Sequence, residues 1–449
     1  MPEVARQRYL QRHLEVNLPP CPRSGRRWQN ILVVPAYREP AAALRNLARI
    51  PTDSGATLVI LVLNRPDSDP DQTANTALRN AVAGLPASGA AQLRALNAGT
   101  DLYLHDMERD SGALPAAQGV GLARKTGCDI AFKWMSEGAI SSRWICSTDA
   151  DAHLPADYMS RLAQVPAAAV AAVFPFWHRP GNDSACNVAT ALYELRLHHY
   201  VLGLEYARSP YAWHSLGSCL AVTADGYAQV RGFPRRAGGE DFYLLNKLAK
   251  IGPVARLQGT CLLLESRPSP RVPFGTGPAV SRIMAGAEPQ ASPLFYHPAC
   301  FAALRALLET LPQLAAEQYR DDDAALVAML QWRGLTPQLS SHCAATMQHM
   351  GLAAALAHCR RQGRTPDQFL RQFHQWFDGF RTLKFLHAIR AAGWPDQTLA
   401  ALCDLHPAIW PADCNPGIDS QRRQLLRHWS WTVPPANSGW RSWNNRASW

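Results

Sequence analysis

The sequence predicts an α/β protein, with a mostly parallel sheet flanked by helices and then a mainly α-helical C-terminal region. Three observations predict it. First, Ile31-Leu32-Val33-Val34 and the segment Thr57 to Leu63 are continuous apolar runs, as in strands buried on both faces. Second, a helical segment with Ala42, Leu44, Leu47 and Ala48 among its apolar positions lies between them. Strand, helix, strand is the start of a parallel sheet. Third, from about residue 291 the strand-like runs cease and helical spacing takes over.

In chain order, residues 1–29 read as an N-terminal arm, helical or loose, that ends in a link at Pro19, Pro20 and Pro22. Leu102-Tyr103-Leu104 is a third strand candidate. Gly119-Val120-Gly121-Leu122-Ala123-Arg124-Lys125 opens a helix towards Trp134. It holds Gly-x-Gly without the full dinucleotide fingerprint, so a nicotinamide site is set aside. Trp144 to Ser147 reads as a short buried strand, Asp157-Tyr158 as a helix start and Ala168 to Phe176 as another strand. A helix over 187–205 places Leu192, Leu195 and Leu202 on one face, and the strand Cys219 to Thr223 follows. A further helix begins at Asp241, for which capping is the ordinary use. Cys261 to Leu264 is the last strand. Beyond 291, helices are expected at Phe301 to Thr310, Ala324 to Trp332, Cys343 to Arg361 and 366–392. Thr365-Pro366-Asp367-Gln368 is a capping box for the last of these, and Gly393 with Pro395 stops it. The domains expected are 1–29, 30–290, 291–428 and a Trp-rich tail, 429–449. In the tail, Trp429, Trp431, Trp440, Trp443 and Trp449 serve either to fasten it by burial or to stack on a sugar or partner.

The 449 residues suffice for two or three domains. A net charge of +10 suits anionic partners: nucleic acid, a membrane surface or phosphorylated small molecules. No Lys/Arg run and no nucleic-acid-binding motif accompanies the charge, so nucleic acid is not the expected partner. Eleven cysteines, an odd number and none in C-x-x-C spacing, read as reduced, mostly buried thiols of a cytoplasmic protein rather than a disulfide frame or a zinc site. Arg6, Arg8, Arg12 and Glu15 interrupt any signal-peptide core. The most apolar run, Val165 to Trp177, is too short to span a bilayer. The expectation is a soluble protein without a transmembrane segment, with peripheral membrane contact left open.

The chemistry centres on Ser147-Thr148-Asp149-Ala150-Asp151. Residues two apart on an extended chain point the same way, so both carboxylates leave the strand end together. Like charges so placed repel unless a cation or proton lies between them. Oxygen ligands favour a hard ion, Mg²⁺ or Mn²⁺, which commonly keeps room for substrate phosphates. The plainer alternative is a pair of loop carboxylates, one of them capping the next helix. Arg267 and Arg271, four apart in a Pro/Gly-rich loop, are candidates for a diphosphate clamp or simply solvated charges. The loop Ser209 to Ser218 is rich in aromatic and small residues, which can line a sugar pocket or merely connect two elements.

Taken together, Val33-Val34-Pro35-Ala36-Tyr37-Arg38-Glu39, then Ser147-Thr148-Asp149-Ala150-Asp151-Ala152-His153-Leu154-Pro155, then Gly238-Gly239-Glu240-Asp241 resemble the family 2 glycosyltransferases, in a bacterial branch. The resemblance covers about residues 30 to 280 and rests on the order and spacing of the motifs. It implies a GT-A type, Rossmann-like fold. It implies a nucleotide-sugar donor, a divalent cation (Mn²⁺ or Mg²⁺) and an acceptor hydroxyl that the sequence does not identify. By this resemblance Pro35, Ala36, Tyr37 and Glu39 face the nucleoside, and Gly121 and Arg124 lie near the nucleotide. Asp149 and Asp151 hold sugar and metal, with Asp151 the direct ligand; a donor diphosphate is what the candidate clamp of Arg267 and Arg271 would take. Asp241 is the catalytic base and Glu240 orients acceptor or sugar hydroxyls. The loop after the second strand usually carries an acid facing the base; here Asn64-Arg65-Pro66-Asp67 stands there, a departure that leaves the base unassigned. His214 and His297 are weak candidates for a third metal ligand, an ordinary structural role being the alternative. The leading expectation is inverting, metal-dependent sugar transfer. The alternatives are retaining transfer to a small acidic acceptor such as a glycerate, and a non-catalytic glycosyltransferase-like scaffold.

Overall fold

The computed structural model describes residues 2–52, 54–269, 271, 275–316, 323–405, 409–410 and 417–434. The chain forms two compact units. One comprises Met1–Asn187, Ser215–Ser281 and Leu426–Trp449, and the other Val188–His214 and Arg282–Leu425.

All strands described belong to the first unit. They are β1 (Asn30–Ala36), β2 (Thr57–Leu63), β3 (Ala87–Ser88), β4 (Ala90–Asn97), β5 (Thr100–Asp106), β6 (Trp144–Ser147), β7 (Ala171–Val173), β8 (Phe176–Arg179), β9 (Leu220–Thr223), β10 (Val254–Arg256), β11 (Gly259–Thr260), β12 (Leu262–Glu265) and β13 (Trp431–Thr432). Nine of them make one sheet in the order β10-β7-β9-β6-β1-β2-β5-β4-β3. β1, β2, β5 and β6 run parallel, and only β4 and β9 oppose the common direction. The expected mostly parallel sheet is therefore present. The β3–β4 edge hairpin was not expected, because Ala90 to Asn97 is too polar to read as a buried run.

Two-sided burial explains the composition of the central strands: Ile31 to Val34 and Leu58 to Leu63 are all fully buried. The helix Gly119–Ser136 lies close against them. A Cβ at Gly127 would stand 2.5 Å from Val33 Cγ1 and 2.8 Å from Val62 Cγ2, so a glycine lets helix and sheet meet. The chain runs β1, β2, β5 towards one side and returns to β6 on the other side of β1. A reversal of this kind, here at the carboxyl ends of β1 and β6, is where such sheets usually place their ligand crevice. The Asp-x-Asp motif follows β6 directly.

The N-terminal arm is a helix, Pro2–Arg12, fastened by a buried acid. Asp129 is fully buried on the helix Gly119–Ser136. It accepts from Tyr9 Oη (2.6 Å), Tyr227 Oη (2.8 Å), Lys125 Nζ (2.7 Å) and the Glu15 backbone N–H (2.8 Å). Trp429 and Trp431 are buried in this unit, and β13 pairs with β11. Trp440, Trp443 and Trp449 lie outside the described residues.

The second unit is helical, as expected from about residue 291 onward, with two corrections. The predicted helix 343–361 is two helices, Pro337–His349 and Leu352–Gln362, divided at Gly351 with φ +87°. The predicted helix 366–392 is also two, Pro366–Trp376 and Gly379–Ala391. Asp378 caps the second by accepting from Arg381 N, a local bond that competes with helix continuation. Thr365 does cap Gln368 N, as the capping box predicts. Among the described residues nine cysteines are outside any disulfide, all buried except Cys21, but Cys403 is disulfide-bonded, against the expectation of reduced thiols. The lack of C-x-x-C spacing excludes only close pairs, not a bridge across a longer loop.

Replacing Asp129 with Ala takes from buried Lys125 its nearer counter-charge, leaving only Glu15 at 3.7 Å, and removes the anchor of the arm. A loss of about 3–5 kcal/mol is expected, as for other broken buried pairs. Urea unfolding measures the loss, and faster amide exchange over residues 2–15 reports release of the arm.

Candidate functional site

Arg124 organises the crevice. Only 3% exposed on the second turn of its helix, it donates from Nε to Glu240 Oε1 (2.9 Å), from one terminal nitrogen to Ser147 Oγ (2.7 Å) and from the other to Asp149 Oδ1 (2.5 Å). Ser147 Oγ in turn donates to Gly217 O at 3.2 Å. A Cβ at Gly217 would lie 2.5 Å from the Arg124 guanidinium, so only glycine fits over that cation. Burial works against the Arg124 charge, but Asp149 and Glu240 outweigh it and hold the group protonated.

Gly121, expected near the nucleotide, has a packing role. Its N–H donates to Arg236 O at 2.9 Å, and a Cβ there would lie 2.5 Å from that oxygen and 2.6 Å from Pro234 O. The helix is thus clamped to the loop that delivers Glu240 and Asp241. The helix Glu240–Leu248 has Gly239 as its N-cap, in the left-handed region at φ +68°. Asp241 is therefore not the cap. Its carboxylate accepts from the N–H of Phe242 at 2.6 Å and is half-buried. Burial, then Glu240, push its pKa up to about 7, while the Phe242 N–H and Arg124 act the other way. Glu240 is itself buried, with its carboxylate engaged by Arg124.

The second carboxylate meets a different cation. His153 exchanges backbone hydrogen bonds with Leu263 (2.8 and 3.0 Å), which draws the end of β12 to the Asp-x-Asp turn. Arg267, just past β12, then donates to Asp151 Oδ2 (2.6 and 2.9 Å) and to Glu39 Oε1 (2.9 Å). Arg271 pairs with the same Glu39 oxygen and donates to Tyr37 O at 2.9 Å. The pair expected to clamp a diphosphate thus bridges Asp151 and Glu39. Burial raises the Asp151 pKa, and Asp149 and Glu39 add to the rise against the pull of Arg267.

Beyond β1, Arg38 adopts φ +54°, a conformation costly for a side-chain-bearing residue. Two bonds to Asp69 (2.8 and 2.9 Å) and one from its N–H to Asn75 Oδ1 (3.1 Å) hold it there. Tyr37 Oη also donates to Asp69, at 2.5 Å. Hydrogen bonds from Arg38 and Tyr37 keep Asp69 well below the usual carboxylate range. Asp69, 8% exposed, is the buried acid of the loop after β2, five residues past Asn64. The sequence reading did not single it out. Asn64 instead ties the ends of β1 and β2 by donating to Ala36 O at 3.1 Å. Pro35 and Ala36 are buried inside β1.

His214 and His297 both lie in the helical unit. His214 Nε2 faces His198 Nδ1 at 3.0 Å, and His297 Nδ1 accepts from Ala299 N and caps the helix Pro298–Glu309. Among the described residues no three carboxylate, imidazole or thiol groups converge on one point. The arginines leave Asp149 Oδ2 and Asp151 Oδ1 unengaged, and carboxylate oxygens are hard donors of the kind a divalent cation takes. A cleft of about 450 Å³ lies at the opposite ends of β1 and β6. Its one charged lining residue, Arg143, is spent on the carbonyls of Val165, Pro166 and Ala167.

The raised pKa of Asp241 has a stability signature. The folded state holds this proton up to about pH 7, whereas an unfolded aspartate releases it near pH 4. The contribution is therefore full below pH 4 and is lost as pH rises through 7. D241N removes that dependence, so at pH 8 it should be the more stable protein, by on the order of 2 kcal/mol. Thermal unfolding from pH 4 to 8 checks the sign. G121A has no room against a backbone and should shift the 234–241 loop at a cost of about 1–3 kcal/mol, read by urea unfolding.

No protein-family model and no curated protein matches this chain. Among solved structures, a mannosyltransferase from Pyrobaculum calidifontis, in complex with GDP-Man and Mn²⁺, is similar over 87% of this chain and 93% of its own, at 16% identity and TM-score 0.34. TarS 1–349 from S. aureus, in complex with UDP-GlcNAc, is similar over 79% of this chain and 91% of its own, at 12% identity and TM-score 0.34.

Proposed function

We propose that the protein is a glycosyltransferase that moves a sugar from a nucleoside-diphosphate sugar to an acceptor hydroxyl, with inversion at the anomeric carbon. One observation carries the reading. At the crevice between β1 and β6, four carboxylates and three arginines meet: Asp149 and Glu240 on Arg124, Asp151 and Glu39 on Arg267, and Glu39 also on Arg271. Half-buried Asp241, with its raised pKa, adjoins them.

The roles follow from charge. The leaving group is a diphosphate, on which negative charge grows as the glycosidic bond breaks. Arg267 and Arg271 exchange Glu39 and Asp151 for its phosphate oxygens, and their fixed cations stabilise that charge. Tyr37, Arg38 and Asp69, with Asn64 behind them, border the nucleoside. Asp149 and Asp151 would hold a divalent cation, which would neutralise part of the diphosphate charge. Asp241 takes the proton of the attacking hydroxyl, a task its pKa of about 7 suits near neutral pH. Glu240, spent on Arg124, acts by fixing that arginine rather than by touching the acceptor. We assign this chemistry to the sheet unit.

A donor panel tests the proposal. The protein is incubated with GDP-, UDP-, ADP- and dTDP-sugars and Mn²⁺ or Mg²⁺, and release of the nucleoside diphosphate is followed. At least one donor should be hydrolysed slowly, with a rate that rises through about pH 7. D241N should lose about 10²–10⁴-fold in turnover while still binding that donor. R267A/R271A should weaken donor binding by tenfold or more, about 1.4 kcal/mol, measured by calorimetry. Failure to bind or turn over any donor overturns the reading, and a product of retained configuration overturns inversion alone.

A further inference from the structure

Away from the crevice, positive charge collects on one face of the sheet unit. That unit carries 30 Lys and Arg against 21 Asp and Glu, the helical unit 15 against 14. Nearly all the surplus is therefore on the sheet unit. Arg8 and Arg12 are exposed, one turn apart on the helix Pro2–Arg12, whose inner side buries Tyr9. Arg231 is exposed in the turn after the helix Ala224–Gln229, and Lys247 is exposed on Glu240–Leu248. Among the described residues none of these four has an acidic partner, in contrast to Arg6 with Asp225 and Arg235 with Glu15.

The cations of this face lie close together. After partial desolvation, Arg231, Lys125, Arg12 and Arg8 all push the His13 imidazole down. Burial, then Arg231 and Lys125, lower Lys247 as well. Of these neighbours only Lys125 is neutralised, by Asp129. Uncompensated charges crowded on three elements gain nothing for the fold, so they indicate an anionic occupant.

Apolar side chains distinguish between the anionic occupants. Val4 (60% exposed) sits one turn before Arg8, Val16 (82%) follows the arm helix, and Ile251 (42%) stands four residues past Lys247. They are three of the four large exposed hydrophobic residues described. A soluble polyanion has no use for them. An anionic bilayer uses both kinds: its headgroups meet the arginines and its acyl boundary takes the valines and isoleucine. We propose that this face, formed by Arg8, Arg12, Arg231 and Lys247 with Val4 and Val16, seats the protein on an anionic phospholipid surface. The helices described are not long and apolar enough to cross a membrane, so the contact is peripheral. The inference does not depend on the glycosyl-transfer reading.

The full chain is sedimented with vesicles of equal parts phosphatidylglycerol and phosphatidylcholine, and with phosphatidylcholine alone. Binding is expected to the mixed vesicles only, and to fall as salt is raised to about 0.5 M. R8A/R12A should lower the partition coefficient about twentyfold or more, at about fivefold per cation. R231A/K247A, on separate elements, should do the same, so one ill-behaved variant does not decide the matter. V16D should weaken binding in high salt too. Donor hydrolysis and thermal unfolding should match the parent protein. No binding to the mixed vesicles, or equal binding by both double variants, overturns the proposal. So does tight retention of inorganic polyphosphate without vesicle binding, which would mark a soluble polyanion site.

Discussion

The three-way engagement of the Arg124 guanidinium is the constraint on which the crevice depends. A cation so deeply buried is costly unless its donors are matched by acceptors and its charge by acids. Ser147, Asp149 and Glu240 supply both. They come from the end of β6 and from the start of a helix some ninety residues later. One side chain therefore fixes the spacing between the acid pair after β6 and the Glu240-Asp241 step. It also fixes the neighbourhood that lifts Asp241, since Glu240 is held beside it.

Around this centre the unit uses two kinds of polar device. At Asp129 the donors outnumber the acid and the charge is closed off from water, a fastening of arm to helix. At Asp151 and Glu39 the arginines are partly exposed and the acids are shared, so the guanidinium groups remain within reach of another anion. The first kind serves stability; the second is the one the proposed function gives to the donor.

The central strands were legible in the sequence because two-sided burial demands unbroken Val, Ile and Leu runs, and Ile31 to Val34 and Thr57 to Leu63 have them. The edge hairpin was not, because a strand half in water carries no such run. The helix breaks at Gly351 and Asp378 were hidden by spacing that remains helical on both sides. In the site, the acids, Arg124, Arg267 and Arg271 could be named from their motifs, but not which acid each arginine takes. That choice is made by the bridge between His153 and Leu263 and by Glu39 after β1, contacts between distant segments. Asp69 escaped because its bonds to Tyr37 and Arg38 join two loops about thirty residues apart, and no local motif marks such a pairing.

Gly217 carries one more consequence. Its missing side chain is the space that the Arg124 guanidinium fills, so the two positions are a single lock-and-key pair separated by about ninety residues of chain. A methyl at 217 would press on the guanidinium that Ser147, Asp149 and Glu240 hold, so it is accommodated only by loosening that grip or by a shorter side chain at 124.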